Sequence, residues 1–255
     1  MKKFIVTLLT LICLLAFHYA DAQVPDTSKK YKVFLEPYLL IANMAGTTGV
    51  GDLPNTSVSV PASKVFSSLQ FGAMLYAEVH NNKFAFTTDL LYASLSESAS
   101  GKNGVLNGSA AVKQFWWELE GLYKLNPWLE AGVGARLNNV KTDLNVNVIT
   151  PTKLVNQFNE GTNTWVDPLI VTRVKGWVSP KWLLSFRADI GGFGVGSKFA
   201  WQIQPDIAYR ASKLLQIGLG YRYISMDYNN DESGSGRFLY DMNEYGPQIR
   251  IGFNF

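Results

Sequence analysis

Cysteine is almost missing from this chain. The single one, Cys13, lies in an apolar run from Phe4 to Phe17 that follows Lys2 and Lys3. Ala20-Asp21-Ala22 then offers a small-x-small cleavage site before Gln23, so residues 1–22 read as a secretory signal peptide. The run is too short to span a bilayer comfortably. Ile12, which precedes Cys13, is not the small residue that lipid attachment requires. The expected mature chain, 23–255, therefore carries no cysteine, which excludes a disulfide and a thiolate metal site. No later run of about 18 apolar residues exists, so no transmembrane helix is expected. Histidine is scarce too: His18 would leave with the signal, and only His80 remains. Charge is sparse, at 17% of residues. Without Lys2, Lys3 and Asp21 there are 21 basic and 19 acidic residues, a balance that leaves no nucleic-acid footprint.

Alternation is abundant instead. In the last eleven residues, Tyr245, Pro247, Ile249, Ile251, Phe253 and Phe255 fall on one side of an extended strand. Gly246, Gln248, Arg250, Gly252 and Asn254 fall on the other, because side chains alternate faces with period two. A strand with lipid outside and a polar lumen inside needs this pattern. The same scheme recurs at about Tyr31–Asn43, Val65–Val79, Lys83–Ser94, Val112–Leu125, Trp128–Lys141, Trp165–Val178, Lys181–Ile190, Lys198–Arg210, Leu214–Asp227 and from Arg237 to the end. Tight turns at Asn81-Asn82, Asn126-Pro127, Ser179-Pro180 and Ala211-Ser212 alternate with longer polar connections. These are Ala45–Pro61, Ser96–Ser109, Asp143–Asn163, Asn229–Gly236 and the shorter Gly191–Ser197. Short periplasmic turns and long outer loops are the habit of outer-membrane barrels. The reading is one all-β domain, a transmembrane antiparallel up-and-down β-barrel of about ten strands, with eight as the alternative. A soluble barrel of the lipocalin kind would need a polar outer face.

Function must then be sought in the lumen. Charges at mid-depth cannot face lipid and must find partners or water. The inward positions carry Glu36, Glu78, Asp89, Glu118, Glu120, Glu130, Arg136, Asp167, Arg173, Arg187, Asp189, Asp206, Arg222 and Arg250. Acids concentrate early and bases late, which predicts one acidic wall facing a basic one. Two readings follow: a salt-bridge network that fills a narrow interior, or a narrow polar passage that selects small charged solutes. Contact between the Glu118/Glu120 and Arg173/Arg187 walls would favour the first.

Catalysis has little to work with. Barrel enzymes that use histidine as a base need it within reach of a carboxylate or serine, and His80 stands beside a predicted periplasmic turn, where it reads as solvated. Asp227, Asn229 and Asp231 match the opening of a calcium loop, but Glu232 and Phe238 stand where glycine and glutamate belong. Gly191-Gly192-Phe193-Gly194-Val195-Gly196 looks like a phosphate loop without its lysine or its helix, and reads as a glycine-rich rim hairpin. No catalytic residue, cofactor or metal is expected.

The order of short segments resembles a group of small bacterial outer-membrane barrel proteins of largely unassigned function. The matching pieces are EPYLL at Glu36, FGAMLYAEV at Phe71, GAR at Gly134, WVDP at Trp165, DIGGFGVGS at Asp189, WQ at Trp201, GYRYISMDY at Gly220, GP at Gly246 and the closing Phe255. The resemblance implies a barrel in a Gram-negative outer membrane, with no substrate and no catalytic residue to carry over. The expected role is structural or narrow-pore transport of small solutes. The alternative is a surface protein acting through its outer loops. Expected partners are outer-membrane lipid, the barrel-assembly machinery through the C-terminal strand, and a small solute or surface ligand.

Overall fold

A computed structural model describes residues 31–52, 54–100, 106–149 and 154–255; the expected signal peptide lies outside them. The strands are β1 (Lys32–Leu40), β2 (Asn43–Val50), β3 (Thr56–Val60), β4 (Leu69–His80), β5 (Phe84–Ser100), β6 (Leu106–Lys124), β7 (Leu129–Ile149), β8 (Leu154–Ser179), β9 (Trp182–Gly191), β10 (Phe199–Arg210), β11 (Leu215–Asn229) and β12 (Phe238–Asn254). One short helix, α1 (Ala62–Ser68), separates β3 from β4. Every ladder is antiparallel, and β1 bonds β12 to close the cylinder. The barrel has ten staves, because β1 and β2 lie end to end along β12, and β3 and β4 together make the next stave.

The alternation seen in the sequence sorts the surface. Phe86, Leu119, Val133, Ile170 and Leu219 are exposed on the outside, while their strand neighbours at the intervening positions are buried or half-buried. Aromatic rings gather at two levels of that outer face. Near the tight turns Phe84 packs on Tyr123, and Trp182 on Tyr209. Higher up Phe71 meets Tyr92, and Trp201, Tyr223 and Tyr245 stack in a row. Above the upper belt the outward residues turn polar, as at Lys113 and Asp241. An apolar band between two aromatic belts on a closed barrel is the surface of an outer-membrane protein. No helix among the described residues is long and apolar enough to cross a membrane, so the crossing is made by strands.

Four expectations from sequence need correction. The connection Ser96–Ser109 is largely strand, because the β5–β6 ladder runs out to Ser100 and Asn107. The second strand does not begin at Val65: residues 62–68 are helical and β4 starts at Leu69. Ala45–Pro61 is largely the β2–β3 hairpin. Asp143–Asn163 carries the β7–β8 ladder out to Ile149 and Leu154, about 10 residues beyond the polar pair Asn139 and Thr164, roughly 30 Å of strand at its usual rise. These segments are rich in polar residues, and although Leu144, Val146 and Val148 alternate with Asn145 and Asn147, residues 156–163 carry no matching alternation. Backbone pairing with a neighbour sets their conformation.

Helix α1 has a register origin. Along β1–β4, Pro37 faces Leu75, which would bring Ser68 opposite Met44; in β2–β3, Val60 holds that place. The difference is eight residues, Pro61 to Ser68, looped out of the stave. The helix is weakly held. It has no side-chain N-cap bond and no acid in its first turn. The Ala62 N–H donates to Asn43 Oδ1 at 2.9 Å, Ser68 Oγ donates to Glu97 Oε2 at 2.6 Å, and Lys64 pairs with Glu97 Oε1. Those donors hold the Glu97 carboxyl below the ordinary carboxylate range, hydrogen bonding from Lys64 contributing most. A depressed carboxylate pKa gives a tether that is complete at neutral pH and lost as pH falls through the lowered value. A spin label at Ser67 should therefore gain mobility only below the ordinary carboxylate range. Unchanged mobility there would remove Glu97 as the tether.

Candidate functional site

The barrel interior has two layers. The lower and middle layer is ionic. Every one of the fourteen inward charges expected from sequence is buried except Asp206, which is half-buried. They do not form two opposed walls. Neighbouring strands already alternate sign, as Glu118 on β6 faces Arg136 on β7, and Glu130 on β7 faces Arg173 on β8.

Glu118 is the hub. Its Oε1 accepts from Arg136 Nε at 2.7 Å and Arg222 Nη2 at 3.1 Å, and its Oε2 accepts from Arg187 Nη2 at 2.9 Å. Arg187 also binds Glu120 and, at 3.0 Å, Asp189. Arg136 reaches Asp189 at 3.0 Å. Arg222 crosses the lumen to Asp89 at 3.1 Å and to the Tyr38 hydroxyl at 2.9 Å. A second group joins Arg173 to Glu78 at 2.6 Å and Glu130 at 2.5 Å, with Lys175 3.0 Å from Glu130. Arg250 pairs with Glu36 at 2.6 Å. Gln204 and Gln248 each donate to Asp206 at 2.9 Å. Such a network is stable because each ion has several partners; an unpaired charge there would cost far more than one bond.

Beneath it, a cavity of about 610 Å³ faces the turn end and is lined by Lys32, Lys124, Lys175, Arg210 and the lower ion pairs. His80 lies there and is not simply solvated, because its Nδ1 sits 2.8 Å from Glu78 Oε1.

The upper layer is apolar, which alternation alone did not suggest. Trp116, Ile224, Met226, Phe238 and Met242 are almost fully buried and belong to one cluster, and the Trp165 and Tyr228 rings stack at 4.0 Å. These residues occupy inward positions, where a barrel with lipid outside predicts a polar lumen. The signal was available: inward residues change from charged to apolar along β11 after Arg222 and along β12 before Glu244.

Two of the short motifs meet at the top of this layer. Asp167 of WVDP is fully buried. Its Oδ1 accepts the Ser197 N–H at 2.6 Å; its Oδ2 accepts from Ser197 Oγ at 2.9 Å, Asn138 Nδ2 at 2.9 Å and Trp165 Nε1 at 3.2 Å. The glycine-rich loop is folded onto it. Gly192, Phe193 and Gly194 all have positive φ, at 84°, 50° and 76°, a conformation glycine takes without cost and phenylalanine does not. The loop's N–H groups are used by its own chain, with Gly194 N donating to Ser197 O and Val195 N to Gly192 O. Asp231 donates its N–H to Asn229 Oδ1, so the calcium-like segment closes on itself. Among the described residues no group of three or more His, Cys, Asp or Glu could hold a metal ion.

No family model matches this chain, and no curated protein matches it. Solved barrels do. The attachment invasion locus protein Ail of Yersinia pestis aligns over 89% of this chain and 99% of its own, at 8% identity and a TM-score of 0.35. The toluene transporter TodX of P. putida aligns over 91% and 90%, at 9% identity and 0.37. The outer membrane protease OmpT of Escherichia coli aligns over 92% and 99%, at 7% identity and 0.41. These are loose likenesses of strand architecture among proteins with three different printed roles, and fold alone does not assign function.

Proposed function

We propose that this protein is an outer-membrane barrel closed to axial solute flow. It serves as a rigid membrane anchor for the β-structured hairpins above the upper aromatic belt. The observation that carries the reading is the Glu118 hub. Arg136, Arg187 and Arg222 converge on one carboxylate from three strands, and the apolar layer is packed over them. An ion entering from either end meets paired charges or hydrocarbon.

The hairpins supply the surface reading. The β7–β8 ladder stands well clear of the apolar band and presents Lys141 paired with Asp143 and Glu160. An adhesive or ligand-binding role is a matter of such exposed strands. The narrow-pore reading keeps one supporting feature, the cationic cavity at the turn end, which would concentrate anions if the hub opened.

Planar-bilayer recording separates the two. Pure protein should give no channel openings at moderate voltage. The triple substitution Glu118→Ala, Arg187→Ala, Arg222→Ala should give small, frequent openings if it inserts. Regular conductance steps from the unsubstituted protein would overturn the closed-barrel reading.

A further inference from the structure

The wall of this barrel is split on one side. The β1–β4 ladder ends at Pro37 and Leu75. Above it β3 bonds only β2, and β5 beyond Leu95 bonds only β6. Among the described residues no ladder joins β3 to β5, and α1 lies across the interval. Where a ladder bond of β1 would continue, the Leu40 N–H donates instead to the Met74 sulfur at 3.2 Å. The split opens above Pro37 and Leu75, in the upper part of the apolar band, and reaches the upper aromatic belt, where Asn43 faces Tyr245 across β2–β12 and Phe71 packs on Tyr92 just below α1. That is the level at which acyl chains meet headgroups. A free sheet edge is excluded from hydrocarbon itself, so such an edge at this boundary needs a cover.

The interior behind the split is unusual in composition. The chain has five methionines. Apart from Met1, all four, Met44, Met74, Met226 and Met242, lie in or against the upper apolar cluster. Met44 and Met74 flank the split on β2 and β4, and both are only partly buried. Methionine is flexible and polarizable and adapts to guests of varied shape. On the split side Glu244 borders this layer, opposite Met44 across the β2–β12 ladder, and accepts from Tyr240 at 2.6 Å and Gln114 at 2.7 Å. Below lies the ionic layer, which bars entry along the axis.

We propose that the split between β3 and β5 is a side entrance, covered by α1. Through it an apolar or amphipathic small molecule dissolved in the outer leaflet reaches a methionine-lined site in the upper interior. The cover is built to yield. Its ties to β5 are the Lys64 and Ser68 contacts with the single residue Glu97, and exposed ion pairs hold weakly. Entry requires α1 to swing aside and Met44 and Met74 to change rotamer, with no break in the ladders that close the lower barrel.

The test uses the purified full barrel in phospholipid nanodiscs and N-phenyl-1-naphthylamine, whose fluorescence rises in apolar surroundings. The unsubstituted protein should give a saturable rise above that of empty nanodiscs. Lys64→Cys with Glu97→Cys, joined by a short bis-maleimide, should slow the rise at least tenfold relative to the same variant unjoined. Met226→Trp should abolish the saturable part by filling the site. Met74→Phe, at the edge of the cluster, serves the same purpose if Met226→Trp does not fold. Folding is checked by heat-modifiable gel migration. An unchanged rate after cross-linking would overturn the side entrance. An unchanged amplitude in the folded filling variant would overturn the site.

Discussion

Glu118→Ala should be the most damaging single substitution in the barrel. It removes the shared acceptor of Arg136, Arg187 and Arg222 and leaves three guanidinium groups facing one another in a space closed to bulk water. Arg136 and Arg222 are fully buried, so neither can turn to solvent. Breaking one buried pair costs about 3–5 kcal/mol, and three arginines lose a partner here. Asp189 and Asp89 still neutralise part of that charge, so the expected loss stays near the upper end of that range. Glu118→Gln keeps an acceptor oxygen of the same shape and should lose less. Leu119→Ala, one residue along on the lipid face, is the control. Leu119 is 48% exposed, and trimming a side chain that touches lipid tails leaves no buried cavity. The measurement is the urea midpoint of the refoldable barrel, followed by tryptophan fluorescence. Equal midpoints for Glu118→Ala and Leu119→Ala would mean that the ion cluster does not hold the barrel together.

Asp167→Ala should have the second largest effect, and a local one. Three donors lose their acceptor, the Ser197 backbone N–H and hydroxyl and the Asn138 amide, while the Trp165 indole keeps only Ser197 Oγ at 3.0 Å. A buried donor left unsatisfied costs about 1–3 kcal/mol, and the Gly192–Gly194 turn has three successive positive φ angles to maintain. The loop should detach before the barrel unfolds, since β8, β9 and β10 keep their ladders. Brief proteinase K treatment of whole cells should then cut the variant near Phe193 and spare the parent. Asp167→Asn is nearly isosteric but turns an amide donor toward existing donors, so it should behave more like alanine than like aspartate. If the loop of Asp167→Ala resists proteolysis as well as the parent does, the carboxylate is not what holds it.

Much of this fold is visible in the residue order because a bilayer imposes a strict rule. A side chain facing hydrocarbon must be apolar, its neighbour along the strand points the other way, and period-two alternation therefore reports orientation directly. Phe86, Trp117, Leu119, Ile217 and Leu219 obey that rule and are exposed. For the same reason Glu118, Arg187 and Arg222 could be placed inside from sequence. The rule fails where the solvent changes. Above the aromatic belt water replaces lipid and alternation is no longer enforced: Leu144, Val146 and Val148 still alternate with Asn145 and Asn147 on β7, while residues 156–163 of the partner strand β8 show no such pattern. It also fails for α1, whose residues Val65 and Ser67 fit a strand pattern. The helix exists because eight residues more than the register needs must leave the stave, and register is a property of two strands.

What residue order decided by itself is which side chains turn to lipid and which turn inward, since that depends on each strand alone. What only the folded barrel decided is who meets whom inside. Arg222 finds Asp89 across the lumen, the WVDP aspartate clasps the glycine loop, and the methionines of β2, β4, β11 and β12 gather beside an unzipped length of wall. Those meetings depend on closure and stagger of the whole cylinder, which bring together residues far apart in the chain, and no local pattern encodes them.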